Sequence, residues 1–210
     1  MHKKQIKQSE KSAAVYSTER NITPFFVYAF YIAVVLVWNA SIILPPLIAL
    51  NWDVHIANSF YQFHSNFCHQ RLDRSFCFFS DGSFGDCMKE NAVAIQKNPS
   101  TGRSHGVVIG EVKGFELAAC ARDNGVYFGM LIGALLLPFF KKIESTEAPQ
   151  PIYLILAIIP LAIDGTGQLI GLWESTNLMR VVTGFIAGFV VPIYLLPMLN
   201  SFLLSKEHNK

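Results

Sequence analysis

The sequence predicts an all-α integral membrane protein: a four-transmembrane-helix bundle with an outer amphipathic helix and a small extramembrane loop region that has room for a short β-hairpin. Three observations lead there. Hydrophobic residues make up 51% of the 210-residue chain and charged residues only 15%, where soluble domains run near a quarter charged. Four stretches stay apolar over the roughly 20 residues that a helix needs to cross the hydrocarbon core. Lys and Arg gather beside alternate ends of those stretches, the pattern that fixes orientation in a bilayer.

A polar tail, 1–23, precedes the first span at about 24–50, which contains Trp38 and Pro45-Pro46. The tail and the length of the apolar run favour an uncleaved anchor over a cleaved signal peptide. An outer segment, 51–118, follows. It opens with Asn51-Trp52-Asp53, suited to a membrane interface and a helix cap, and Ile56, Phe60, Phe63 and Phe67 then recur at helical spacing over 54–68. The stretches 80–86 and 98–102 carry turn residues, and 106–112 suits a small hairpin.

The second span is expected at about 119–140, the third at 152–172 and the fourth at 178–204, before a short tail, 205–210. Gly125, Gly129 and Gly133 repeat every four residues on the second span, as do Gly184 and Gly188 on the fourth. Small residues so spaced let helix backbones approach closely, so these two spans should pack together. Nine positives (Lys3, Lys4, Lys7, Lys11, Arg20, Lys141, Lys142, Lys206, Lys210) fall on one side. The other side is poorer per residue, which places both termini in the cytoplasm of a prokaryotic cell membrane and 51–118 outside. The net charge of +2 suggests no nucleic-acid partner.

Ionisable groups inside spans are costly and so are functional candidates. Here they are Arg122, Asp123, Asp164 and Arg180, the catalytic candidates, and all are expected in the outer leaflet; Asp164 lies roughly 18 Å up a core of about 30 Å. Gln168 lies one turn beyond Asp164, and Glu174 and Ser175 sit in the outer turn between the last two spans. The bland reading pairs Arg122 or Arg180 with Asp164 or Asp123 to lock the bundle, because a buried charge needs a partner.

The motifs Cys68-His69-Gln70-Arg71 with Arg74-Ser75-Phe76, Cys120-Ala121-Arg122 with Gly125-Val126-Tyr127, and Asp164-Gly165-Thr166-Gly167-Gln168 with Glu174-Ser175-Thr176-Asn177 and Arg180 together resemble DUF2085. That is an uncharacterised family of predicted prokaryotic membrane proteins, a domain of unknown function. The likeness covers about 68–190. It implies a membrane location without an activity, and it groups these residues into one site, with Gln70, Arg71, Arg74, Gln168 and Glu174 as ligand-binding candidates. The family pattern has Cys-x-x-Cys where this chain has Cys120 and Asp123, and a shorter link between the two Cys motifs.

Four readings follow. Cys68, His69, Cys120 and Asp123 form a donor set for zinc or another first-row divalent ion, with His64, one turn before Cys68, as a substitute for His69. Thiol–disulfide exchange is the second, weakened by the missing Cys-x-x-Cys; Cys77 and Cys87 more simply form a structural disulfide. In the third, Arg74, Arg122 and Arg180 bind a lipid head group beside Asp164 or Asp123. The last is a structural membrane subunit. The expected partners are the bilayer, a lipid-borne substrate, or further copies of the chain. No P-loop, dinucleotide fingerprint or Ser-His-Asp set is present, and the sequence names no reaction.

Overall fold

The computed structural model describes residues 2–99 and 102–208, and side chains over 24–95, 97–99 and 102–204. Among the described residues, five α-helices and five strands follow in blocks: α1 (His2–Asn51), α2 (Val54–His64), a 3-10 turn (Leu72–Arg74), β1 (Phe76–Phe79), β2 (Phe84–Asp86), β3 (Val93–Lys97), β4 (Ser104–Ile109), β5 (Val112–Glu116), α3 (Ala121–Phe140), α4 (Pro151–Leu169) and α5 (Asn177–His208). Among the described residues four segments are long and apolar enough to cross a membrane: Pro24–Asn51, Ala121–Phe140, Pro151–Leu169 and Asn177–Leu204. Their outer faces expose Phe30, Phe139, Leu169 and Phe202, while Asn39, Asp164, Arg180, Thr183 and Asn200 are buried. That polarity inverts the usual arrangement of a water-soluble domain. The basic side chains of the tails 1–23 and 205–210, on which the expected orientation leans, lie outside the described ones.

The third apolar stretch stops short of the expected 172 because Gly171 turns the chain at φ +76°, a left-handed conformation that glycine adopts without strain and that ends helices. Proline shapes two other helices. Pro46 has no N–H for the Ile42 carbonyl one turn back, and the Ala118 N–H takes that carbonyl at 3.1 Å. Pro138 likewise frees the Ala134 carbonyl, and Tyr28 Oη donates to it at 3.1 Å. Each proline thus trades a local bond for one that fixes α1 against the β5–α3 junction or against α3.

The α3 and α5 backbones touch through the expected glycines. A Cβ at Gly125, Gly129 or Gly133 would land on the carbonyl oxygen of Val181, Phe185 or Phe189, and one at Gly184 or Gly188 on that of Arg122 or Val126. α4 packs on α5 and buries Asp164 and Gly167, the latter under the Trp173 ring.

The outer segment departs from expectation. Instead of loops with one short hairpin it forms a five-stranded antiparallel sheet, ordered β2-β1-β5-β4-β3, so the chain is not all-α. The expected hairpin is real, but it runs from Ser104 to Glu116 around Gly110 at φ +62°. The turn residues at 80–86 close a second hairpin, in which Ser83 N donates to Asp81 Oδ1 at 2.9 Å. Cys77 and Cys87 form a disulfide beside it. The sheet packs on α1 and α2, where the ring of Tyr61 on α2 stacks on that of His105 on β4 at 4.2 Å between centroids.

The amphipathic helix is present as α2, capped by Asp53, whose Oδ1 accepts from His55 N at 2.7 Å. It ends at His64, so Phe67 and Cys68 lie beyond it. Its buried face is Ala57, Tyr61 and His64, while Ile56 and Phe63 point outward.

Candidate functional site

A cavity of about 380 Å³ opens where the α2–β1 connection passes over the N-termini of α3 and α5. Three elements build its sulfur side. The Cys68 backbone N–H donates to the last-turn carbonyl of His64 at 3.0 Å, which fixes the cysteine just past α2. Gln70, in the left-handed region at φ +47°, reverses the chain and donates its Nε2 to the carbonyls of Tyr61 at 2.8 Å and Ala118 at 3.0 Å. Cys120 caps α3, and its N–H donates to Cys68 Sγ at 3.1 Å.

Asp123, one turn into α3, completes a cluster in which ligand atoms of Cys68, Cys120 and Asp123 all lie within 4.8 Å of one another. The Cys68 thiol is pushed up from its ordinary pKa by hydrogen bonding to Cys120 and by burial. The same bond holds Cys120 below its ordinary value.

Four arginines line the same cavity. Arg71 and Arg74 come from the loop and 3-10 turn, Arg122 from the first turn of α3 and Arg180 from the first turn of α5. Arg71 grips Asp73 at 3.0 and 2.9 Å, which raises its pKa. Arg122 pairs with Asp164 of α4 and reaches Gln168 Oε1 at 3.4 Å. Asp164 also accepts from Ser175 Oγ. Arg180 Nη1 donates to Asn177 Oδ1 at 2.7 Å, and Asn177 Nδ2 donates to Asp86 Oδ1 at 2.7 Å, so the sheet positions the head of α5.

The sequence candidates distribute as follows. Cys68, His69, Arg71, Arg74, Cys120, Arg122, Asp123, Gln168 and Arg180 line this one cavity. His69 is exposed and stands outside the three-ligand cluster. His64 is buried at Ser41 Oγ, 2.9 Å away, against Trp38. Gln70 faces the interior, spent on backbone carbonyls, rather than the cavity. Asp164 and Glu174 line a neighbouring groove of about 500 Å³ between α4 and α5, so Asp164 meets the main cavity only through Arg122. Asn177, grouped with the site by its motif but given no role there, shares a helix face with Arg180 through i, i+3 spacing. The buried pair of His105 Nδ1 and Glu116 Oε1, 2.7 Å apart in the sheet, was not among the sequence's candidates, because only strand pairing brings it together. Burial raises the Glu116 pKa, against the effect of His105.

The sequence model of DUF2085, described as a predicted membrane protein, matches residues 109–194. That range holds α3, α4 and the head of α5 but stops short of the Cys68 motif at which the likeness read from the sequence begins. An uncharacterized protein of Methanocaldococcus jannaschii is 36% identical over 176 residues, 81% of this chain and 91% of its own length. An uncharacterized protein of Methanothermobacter thermautotrophicus is 37% identical over 76 residues, 36% of this chain and 67% of its own. No solved structure matches.

Proposed function

We propose, for a chain that belongs to the DUF2085 family of predicted membrane proteins, that it holds a divalent metal ion of the zinc class on Cys68, Cys120 and Asp123. The protein on this reading is a multi-pass protein of the prokaryotic cytoplasmic membrane, with both termini inside and the sheet and cavity outside. The observation that carries the metal reading is the convergence of three donor atoms within 4.8 Å at the wall of a polar cavity. Two thiolates and a carboxylate suit zinc better than magnesium or calcium, which prefer oxygen alone. Zinc is usually four-coordinate, so three protein donors leave one position for water or a molecule in the cavity. Binding requires both thiols to lose their protons, so affinity should rise with pH.

Elemental analysis of detergent-purified protein, wild type against Cys120→Ala and His69→Ala, tests this. Near-stoichiometric metal that is lost in Cys120→Ala supports the site, and retention in His69→Ala makes the histidine dispensable. Metal-free wild type, purified without chelator, removes the reading. A second reading is then favoured by the closeness of the Cys68 and Cys120 sulfurs, within 4.8 Å of each other: a thiol–disulfide pair, detected by non-reducing peptide mapping.

A further inference from the structure

We infer that this cavity receives a phosphate-class oxyanion, bound by the guanidinium groups of Arg74, Arg122 and Arg180. The inference deepens the reading above and rests on it only in taking this cavity as the functional site; the arginine set stands without the metal.

Four arginines line the cavity against one carboxylate, Asp123. Arg71 is occupied by Asp73, and Arg122 by Asp164. The other two are not neutralised. Among the described residues Arg180 has no carboxylate within ion-pair distance, and Arg74 only reaches, at 3.7 Å, the Asp73 that Arg71 already holds. Arg180 is 6% exposed, a depth at which a fixed charge is rarely left unpaired.

A second observation points the same way. Nε of Arg74, of Arg122 and of Arg180 are all buried without a hydrogen-bond partner. Buried donors normally find acceptors, and these three belong to cations that line one cavity. An anion with several acceptor oxygens in a compact tetrahedron suits a cavity lined by these three guanidinium groups, the side chain best matched to phosphate oxygens.

The phosphate could come from solution or from a lipid. The apolar groove lined by Ile159, Ile163 and Met179 lies just across the Arg122–Asp164 pair, where an alkyl chain would fit if the phosphate is lipid-borne.

The test is equilibrium binding to the full-length protein in uncharged detergent, stripped of metal by chelator. The probes are inorganic phosphate and short-chain phosphatidic acid, with short-chain phosphatidylcholine as the lipid control. Saturable binding that weakens tenfold or more in both Arg180→Lys and Arg74→Gln is expected. Arg180→Lys keeps the charge and loses the fork, and circular dichroism confirms that each variant is folded. Binding of phosphate and phosphatidic acid alike assigns a free phosphate site; binding of phosphatidic acid alone assigns a lipid head group. Failure of folded wild type to bind either probe, or affinities unchanged in both variants, overturns the inference. Because metal is absent throughout, neither outcome depends on the Cys120→Ala result.

Discussion

The N–H of Cys120 donates to the sulfur of Cys68 at 3.1 Å, across 52 positions of chain. That bond joins the loop after α2 to the first turn of α3, and between the two cysteines the whole sheet is laid down. The cavity lies where that loop meets the first turns of α3 and α5. Here the loop supplies one sulfur and two arginines, and the helices supply the other sulfur, Asp123, Arg122 and Arg180.

The two free thiols should differ in reactivity. Cys68 is 7% exposed and its pKa is raised, whereas Cys120 is more open and its pKa is lowered by the Cys68 hydrogen bond. The thiolate is the reactive form. Alkylation of folded, metal-free protein near neutral pH, followed by mass spectrometry, should modify Cys120 first and Cys77 and Cys87 not at all. Added zinc should slow the Cys120 reaction; modification of Cys68 ahead of Cys120 would contradict the assigned hydrogen bond.

The α3–α5 contact sets a steric test. Gly129→Val places a side chain on the Phe185 carbonyl, and overpacking of this kind costs about 1–3 kcal/mol or more. Gly165→Ala on α4 is the contrast, since its Cβ would come no nearer than 3.4 Å to Arg122 Nη1, and replacing a mid-helix glycine gains roughly 0.5–1 kcal/mol. Thermal unfolding in detergent should separate the two, with a lower Tm for Gly129→Val and an equal or higher one for Gly165→Ala.

Local periodicity made part of this fold legible. The glycine spacing on α3 and α5 reported which helices touch, and the cost of a lone buried charge anticipated the Arg122–Asp164 pair. The sheet was hidden because β1, Phe76–Phe79, is three phenylalanines and a cysteine without polar alternation, and its partner β5 begins only at Val112. Pairing at that separation leaves no local signature. Gln70 was misplaced for a related reason: proximity to Cys68 in sequence says nothing of a side chain that a positive φ turns inward.

Removing the Cys77–Cys87 disulfide should weaken the sheet and leave the cavity's ligands intact. Closing a loop of this size contributes on the order of 2–3 kcal/mol. Cys77→Ser with Cys87→Ser should raise proteolytic sensitivity within 76–116, with metal content unchanged. Loss of metal in that variant would mean that the sheet is needed to hold the site.

His64 predicts a pH dependence. Burial lowers its pKa from the ordinary 6.5, against the effect of its Ser41 hydrogen bond. A depressed folded pKa means that the unfolded chain binds the proton more readily, so this contribution is present above about pH 6.5 and is lost as pH falls through the folded value. Tm measured from pH 7.5 down to 5 should therefore fall on acidification, and by less in His64→Gln. An equal fall in both proteins would assign the acid sensitivity elsewhere.

The Arg122–Asp164 pair can be tested for whether it serves the bundle or the cavity. Asp164 is buried and Arg122 has a side chain 26% exposed. Breaking a buried pair by removing one partner costs about 3–5 kcal/mol, and the partial exposure of Arg122 places Asp164→Leu toward the lower end. Replacing both with apolar residues removes the stranded charge, so Arg122→Leu with Asp164→Leu should recover much of that loss in Tm. If the pair only locks α3 to α4, the double variant should bind phosphate as the wild type does. If Arg122 also binds the anion, the double variant should be stable yet bind phosphate at least tenfold more weakly. The second outcome is expected, because Arg122 lines the cavity while only its Nη2 is engaged by Asp164 and Gln168.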